Sequence, residues 1–332
     1  MANFISKAFW TQSYCIPPPP LTEKNLADQK DRVHIVTGGY AGVGKQLSAI
    51  LYEKGATVYI AGRNEQKAKD AMRQIREDHP LASGGGGGRL HFLFLDLNDL
   101  TTIKASAENF LAQESRLDVL VNNAGVMFPP AGTKTTQGHD LQFGTNMLGP
   151  FLFTKLLMPI MVETAKTAAT PDSVRVLWAS SLGIHVLSPS GGGMVLDESG
   201  APKVLDNQQT NYAQTKVGNV FLAVKTQELY GSEGIRSVSF NPGNLKTELQ
   251  RHSTGLAAKM VESMLHPPIF GAYTELYSGW SEEVGADKSI TYVMPWGRNG
   301  TDIIRSDIQQ AIENGLADKL WDWCESETKS YS

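Results

Sequence analysis

A tyrosine and a lysine four residues apart, Tyr212 and Lys216 in the stretch Tyr-Ala-Gln-Thr-Lys, are the pair in this chain best suited to moving a proton. In a helix the two side chains share a face. The Lys216 ammonium then lies close enough to favour the phenolate of Tyr212. A phenol that titrates at ~10 in isolation is drawn down toward the range of a general acid or base. The same spacing occurs in many helices without any chemistry, so its meaning depends on the elements that hold the pair and on the groups they bring to it.

The chain has 332 residues with 30 Lys and Arg against 34 Asp and Glu, and a net charge of -4 leaves no electrostatic footprint for nucleic acid. An anionic ligand must therefore be held locally. Cys15 and Cys324 stand near opposite ends and read as reduced thiols of a cytoplasmic protein. No metal cluster is visible. Residues 1–30 form an N-terminal extension whose first part, 1–10, reads as a short amphipathic helix packed on its own domain, with a weak peripheral membrane contact as the alternative. It lacks the basic start, apolar run and cleavage site of a signal peptide, and the prolines at 17–20 force an extended spacer. The most apolar stretch, 151–162, is interrupted by Lys155 and Pro159 and falls short of the ~20 residues of a membrane span.

From residue 31 onward, strand patterns alternate with helix patterns. Residues 32–37 are a β-branched run leading into Gly38-Gly39-Tyr40-Ala41-Gly42-Val43-Gly44 and a helical pattern to Lys54: strand, glycine turn, helix. Gly38 lets the chain turn, Gly42 lets the backbone approach a ligand, Gly44 lets the helix close on the strand, and the helix N-terminus offers N–H groups to a phosphate. A second strand, 57–61, ends in Gly62-Arg63-Asn64. A protein selecting NAD would carry an acid there for the ribose 2′-hydroxyl. Arg63 suits a 2′-phosphate instead, unless it is a solvated arginine that merely starts the charged helix 64–79. Glycines 84–88 precede the third strand, 90–95, and read as a flexible connection, not a second phosphate cradle. Asp96 follows, placed either for an adenine amino group or as the N-cap of a helix beginning near Asn98.

The fourth strand, 117–121, is closed by Asn122-Asn123-Ala124-Gly125, small residues and amides suited to tying neighbouring strands while leaving room for a cofactor. A long helix over 139–166, broken by Pro150 and Pro159, carries Asn146 early. The strand 173–179 ends at Ser180-Ser181, which puts a hydroxyl at the carboxyl end of a central strand, where a parallel sheet has its ligand crevice. An irregular segment, 182–210, precedes the helix of Tyr212 and Lys216, which runs to about Tyr230. A sixth strand, 236–240, leads into Asn241-Pro242-Gly243-Asn244-Leu245-Lys246-Thr247. Apolar turns over 270–280, a short strand over 290–293 and a helical tail over 302–323 complete the chain. The expected fold is α/β: a single Rossmann-fold domain over 31–332, with a doubly wound parallel sheet of about seven strands and helices on both faces. Within it, 182–210 is a substrate-side insertion and 250–332 a substrate-loop region and C-terminal cover.

Taken in order, Thr37-Gly-Xaa-Xaa-Xaa-Gly42-Xaa-Gly44, Asn122-Asn123-Ala124-Gly125, Asn146, Ser181, Tyr212-Xaa-Xaa-Xaa-Lys216 and Pro242-Gly243 with Thr247 resemble the successive signatures of the short-chain dehydrogenase/reductase family over 32–247. The Ala61-Gly62-Arg63 ending and the long interval from Ser181 to Tyr212 are similar to its retinol-dehydrogenase-like and carbonyl-reductase-like NADP branches. The resemblance implies that Ser181 hydrogen-bonds the substrate oxygen and that Tyr212 exchanges its proton. Lys216 would bind the nicotinamide ribose and lower the phenol's pKa, and Asn146 would hold a water linking Lys216 to solvent. It further implies NADP(H) held by Gly38, Tyr40, Gly42, Val43, Gly44, Arg63, Asn64, Asp96, Leu97, Asn123, Ala124, Gly125, Tyr212, Lys216, Pro242, Gly243, Leu245 and Thr247.

The expected reaction is hydride transfer between nicotinamide and a ketone, aldehyde or secondary alcohol. Met127, Phe128, Val186 and Leu187, apolar residues in loops, suggest a hydrophobic substrate of the secondary-metabolite kind. The alternatives are an NADP-binding regulatory module without turnover and a redox-neutral biosynthetic enzyme. The chain is expected to be a monomer or a homodimer, with a lean to monomer because 182–210 precedes, and can shield, the helix through which many relatives dimerise. His139 and His185, near the expected cleft, are read as solvated loop histidines.

Overall fold

In the computed structural model, which describes residues 6–14, 16–80, 87–246 and 265–332, the run after Arg32 forms strand β1 (Val33–Thr37), and all five of its residues are buried. Burial on both faces is the condition of a central parallel strand, and it explains why this run is nearly continuous in β-branched residues and does not alternate. β2 (Thr57–Gly62) and β3 (Arg89–Phe94) extend the sheet to one side. β4 (Val119–Asn122), β5 (Val174–Ala179), β6 (Ile235–Phe240), β7 (Tyr292–Met294) and β8 (Arg298–Asn299) extend it to the other, in the order β3-β2-β1-β4-β5-β6-β7-β8. Every neighbouring pair is parallel except β7 and β8. Among the described residues the sheet therefore has eight strands where about seven were expected; β8 is a two-residue return after β7, too short to leave a period-2 signal. The strand order reverses at β1 and β4, so the crevice between their carboxyl ends is the switch point at which such sheets take ligands.

The helices are α1 (Lys7–Ser13), α2 (Gly42–Glu53), α3 (Glu65–Asp78), α4 (Leu100–Leu111), α5 (Leu141–Thr167), α6 (Gly183–Val186), α7 (Gln208–Tyr230), α8 (Pro268–Trp280), α9 (Glu282–Ala286), α10 (Ser306–Glu313) and α11 (Leu316–Thr328). α2, α3 and α8 cover one face of the sheet over a core that includes Leu47, Leu51, Val58 and Leu276. α4, α5, α7, α10 and α11 cover the other, over Ile103, Phe110, Leu152, Phe221 and Leu320.

Three elements depart from the sequence reading. α5 is not broken by its prolines: Pro150 stands just after a change of helix geometry, where the regular hydrogen-bond ladder is already interrupted, and Pro159 is carried inside the regular segment Gly149–Thr167. A π turn, Gly144–Leu148, precedes that segment. Among the described residues α5 is one helix long and apolar enough to cross a membrane, against the shorter run expected, but 67% of the window that qualifies is buried inside the fold. Its length and hydropathy follow from a core position against α4 and β5. The helical tail divides into α10 and α11 at Gly315, which takes φ +79°. The N-terminal helix begins at Lys7, where the Ser6 hydroxyl accepts from the Phe9 amide (3.2 Å), and runs to Ser13. Residues 1–5, Cys15 and most of glycines 84–88 lie outside the described residues.

α11 packs on both α7 and α5. Lys225 pairs with Asp318 (2.5 Å), Lys155 pairs with Glu325, and the Trp321 ring meets Phe151 edge-on with centroids 4.9 Å apart. The 182–210 segment contains α6 and sits over the first turns of α7, where Gln214 accepts from the Val195 amide (2.9 Å) and donates to the Lys203 carbonyl (3.1 Å). His139 pairs with Glu327 of α11 (3.4 Å), so it is engaged with the C-terminal cover and is not a free loop residue.

Candidate active site

α7 carries Tyr212 and Lys216. Asn207 caps its start, accepting from the amides of Gln209 (2.8 Å) and Thr210 (3.1 Å), and every residue from Asn211 to Ala223 is buried. Such burial makes the helix a rigid support for Tyr212 and Lys216. The carboxyl end of β5 is stapled to it: the Lys216 ammonium (3.0 Å) and the Asn219 amide (2.8 Å) both donate to the Ala179 carbonyl, and the Ser180 hydroxyl donates to the Lys216 carbonyl (2.9 Å). One residue on, the Ser181 hydroxyl accepts from the Gly183 amide (3.1 Å) and is hydrogen-bonded to the Tyr212 side chain. Lys216 Nζ stands 5.4 Å from the centroid of the Tyr212 ring. Ser181, Tyr212 and Lys216 are therefore together.

The electrostatics run against the sequence reading. Burial pushes the Tyr212 phenol up to about 12, with the Ser181 hydrogen bond opposing only in part, and burial pulls the Lys216 ammonium down to about 8. Removing water penalises phenolate and ammonium alike. Proximity of a cation was expected to depress the phenol; here desolvation of both groups is the larger effect. At pH 7 the pair is a neutral phenol beside a protonated amine.

Asn146 lies on the π turn of α5. Its side-chain oxygen accepts from the Val126 amide (2.8 Å), and its amide donates to the Val126 carbonyl (3.0 Å) and the Thr215 hydroxyl (3.1 Å). The side chain expected to hold a water is thus bonded to protein in both directions, and it clamps the loop after β4 to α7. Gly125 sits between: a Cβ there would stand 3.0 Å from Asn146 Oδ1 and 3.6 Å from Lys216 Nζ.

The glycine turn is tied to the β4 loop through Thr37. Its hydroxyl accepts from the amides of Asn123 (3.0 Å) and Ala124 (2.9 Å) and donates to the Val121 carbonyl (3.1 Å), while the Asn123 side chain donates to the Thr37 carbonyl (2.7 Å). Asn123 is therefore a strand tie before it is a ligand contact. The residues fit a dinucleotide. Gly38 turns the chain at φ +68°, and a Cβ on Gly44 would stand 2.8 Å from Asn123 Nδ2 and from the Gly38 carbonyl oxygen. The N-cap of α2 is Ala41, which has no capping side chain, so first-turn amides from Gly42 onward are open to phosphate oxygens. Lys216 has donated one of its three N–H groups and retains two.

The remaining expected contacts divide. Tyr40 packs against Gly62, where a Cβ would be only 2.3 Å from its ring. Arg63 is exposed just past β2 and has no hydrogen bond or ion pair with any described residue. Asn64 is the N-cap of α3, accepting from the Lys67 amide (2.9 Å). Asp96 accepts from the Asn98 amide (3.0 Å), while Asp99, not Asp96, caps α4. Leu97 is part of the core, with its carbonyl 2.7 Å from where a Cβ on Gly149 would be. Val43, Leu245 and the Pro242 carbonyl converge on Gly271 of α8, bringing the first turn of α2 against the Pro242-Gly243 turn. Gly243 takes φ +97°, its amide held by Asn241 Oδ1 (3.0 Å). Thr247 lies outside the described residues.

Sequence reasoning did not assign site roles to Thr37, Thr215 or Gln142. Gln142, fully buried, accepts from the Phe128 amide (3.1 Å) and donates to the Gln208 side chain (2.9 Å), which fixes the β4 loop to the start of α7. Phe128, at φ +52°, lays its ring edge-on to Tyr212 with centroids 5.4 Å apart. A bulky residue at positive φ is strained, and surrounding contacts must hold it there. His185 is buried with both ring nitrogens unbonded and, through burial and the nearby Arg305, is lowered to about 4. It is a neutral buried imidazole, not a solvated one.

Residues 32–169 match the family model described as short chain dehydrogenase. A short-chain dehydrogenase/reductase of Phomopsis amygdali is 43% identical over 337 residues, covering 98% of this chain and 97% of that protein. The chain belongs to the short-chain dehydrogenase/reductase family. Among solved structures, a Mycobacterium paratuberculosis protein is similar with a TM-score of 0.64 and 25% identity, over 93% of this chain and 97% of that one. Two others share the fold. Pseudomonas aeruginosa RhlG, solved as an NADP active-site complex, has a TM-score of 0.59 and 20% identity, covering 77% of this chain and 92% of its own. The 3-ketoacyl-(acyl-carrier-protein) reductase of Brucella melitensis, solved with NADH, has a TM-score of 0.58 and 21% identity over 78% and 94%.

Proposed function

We propose that this short-chain dehydrogenase/reductase is an NADP(H)-dependent oxidoreductase acting on a ketone, an aldehyde or the corresponding secondary alcohol of a hydrophobic molecule. The observation that carries the reading is the convergence of Ser181, Tyr212 and Lys216, with Gly125 and Asn146 beside them, at the carboxyl ends of the central strands. When bound, the nicotinamide supplies or accepts the hydride. The protein's own residues do the rest. Ser181 donates to the substrate oxygen, and Tyr212, which keeps its proton at pH 7, delivers that proton to the oxygen as charge develops on it. Lys216 binds the ribose through its remaining donors, and its charge stabilises the phenolate left behind. Phe128 keeps water from the phenol's open edge, and the partly exposed Met127, Val186 and Leu187 favour an apolar substrate.

Two features support NADP(H) over NAD(H): β2 ends without an acid, and Arg63 is an exposed cation with no partner among the described residues. We read the chain as a monomer, since α11 already packs on α7.

The test is spectroscopic. Across a panel of hydrophobic carbonyl compounds, NADPH absorbance should fall with at least one; tight NADPH binding with no turnover across the panel would favour a regulatory module. Arg63→Asp should shift preference from NADPH toward NADH by about tenfold or more, the worth of one charge-assisted contact. Undiminished NADPH preference would remove Arg63 from the site.

A further inference from the structure

The segment that precedes β1 is held by contacts its place outside the sheet does not require. α1 buries three side chains, Phe9, Gln12 and Ser13, on one face at helical spacing. Only Phe9 is apolar, so burial of hydrophobic surface is not what sets the register of this helix. Hydrogen bonds to distant parts of the chain do. Gln12, fully buried, accepts from the Asn241 side chain (2.8 Å) and the Tyr292 hydroxyl (3.3 Å), and its own amide donates to the Ala8 carbonyl (3.2 Å). Ser13 accepts from the Asn244 side chain (3.1 Å), and Arg298 donates to the Thr11 carbonyl (2.8 Å). Such bonds are directional and fix where a helix lies, whereas apolar contact alone tolerates sliding.

The anchors share one location. Asn241 and Asn244 flank the Pro242-Gly243 turn at the carboxyl end of β6, and Tyr292 belongs to β7, its neighbour. Ser181 leaves the carboxyl end of β5 on the other side of β6, and α6, which follows it, also packs against α1. α1 therefore lies beside the carboxyl ends of β6 and β7, bridging the segment after Ser181 and the loop after β6. Its hold on Asn241 is separable from the turn itself, because Asn241 Oδ1 accepts from Gly243 while Asn241 Nδ2 donates to Gln12.

We propose that α1 is a wall of the substrate pocket and that Gln12 is the positioning residue that latches it, so that the N-terminal segment selects among carbonyl substrates by the size of the apolar group beyond the reacting carbon. The inference rests on the oxidoreductase reading above and names the segment that gives it selectivity. The test uses the full chain carrying Gln12→Met, close in volume but without the acceptor, and Ser13→Ala, which cuts the separate tie to Asn244. Each is assayed with NADPH on 2-acetylnaphthalene and on acetone, and NADPH affinity is measured by fluorescence titration.

In Gln12→Met the ratio of kcat/KM for the naphthyl ketone to that for acetone should fall about tenfold, the low end of what pocket contacts discriminate. Ser13→Ala should shift it less in the same direction, and NADPH Kd should stay within about twofold, since Asn241 still holds the Gly243 amide. A merely structural role lowers the active fraction and scales both substrates by one factor; that result overturns the proposal, as does a fall in NADPH affinity that accounts for the loss. Wild-type protein that turns over neither these probes nor a wider carbonyl panel would overturn the oxidoreductase reading itself, and the proposal with it.

Discussion

At the glycine-turn end of the crevice, Thr37, Asn123 and Ala124 join two adjacent strand ends through four hydrogen bonds in which backbone groups take part on at least one side. At the end proposed to take substrate the comparable work is done by side chains reaching across the chain: Gln12 to Asn241 over 229 residues, and Arg305 to the carbonyls of Ile184, Ser188 and Pro189 over more than a hundred. The first end depends on where the backbone runs, the second on which side chains happen to be long and polar. The protein thus has one end whose geometry is set by the sheet and another whose geometry is set by its terminal segments. Substitutions at the two ends should fail in different ways.

The largest effect is expected where the ends meet. Tyr212→Phe removes the proton donor and keeps the ring against Phe128, so turnover should drop ~10²–10⁴-fold, with NADPH affinity retained in titrations. A loss of affinity of similar size would mean that Tyr212 belongs to the cofactor end alone.

Next comes pH. Lys216 is held near 8 in the folded protein against an ordinary 10.5, so between about pH 8 and 10.5 the unfolded chain binds more protons and stability rises with pH, by roughly 3 kcal/mol at most. Tyr212, pushed up to about 12, works in the opposite direction from pH 10 upward, because there the unfolded chain gives up its proton first. Denaturant melts of wild type and Lys216→Met at pH 7.5 and 10 should show a rise in wild type that the variant lacks; parallel curves would mean that the ammonium is better solvated than its burial implies.

Thr37→Val leaves the part-buried Asn123 and Ala124 amides without their acceptor, at a cost toward the lower end of about 1–3 kcal/mol. Chemical denaturation should show that loss together with weaker NADPH binding, since the glycine turn shifts with it. Arg305→Ala should do the reverse, raising KM for the carbonyl substrate about tenfold while NADPH affinity holds, because the loop after Ser181 loses its clamp. Stability falling with both ligands equally affected would erase the distinction between the ends.

Legibility followed the same division. The glycine turn, the Asn122–Gly125 turn and the Tyr212–Lys216 spacing are local patterns, and β1, β2 and β5 could be placed because buried parallel strands are near-continuous apolar runs. Pro150 and Pro159 misled, since residue type does not disclose where a helix already changes its hydrogen-bond pattern, as α5 does just before Pro150, or that a mostly buried core helix can carry a proline inside it, as at Pro159. Asn146 and Asn123 could be singled out but not given their bonds: an amide both donates and accepts, and only the position of Val126, Thr215 and Thr37 decides which partners it takes. That the N-terminal extension carries a short helix packed on its own domain was legible from its apolar spacing, but the bonds from Gln12 to Asn241 and Tyr292 that dock it were not.

By itself the sequence determined which phenol, which amine and which hydroxyl meet, because their order along strands and helices of known period brings them to the carboxyl ends of the central strands. Only the tertiary structure decided the sign of the pKa shifts and the contacts of the terminal segments. Desolvation depends on everything packed around a group, and the end proposed to take substrate is assembled from segments that lie far apart along the chain and meet only once it has folded.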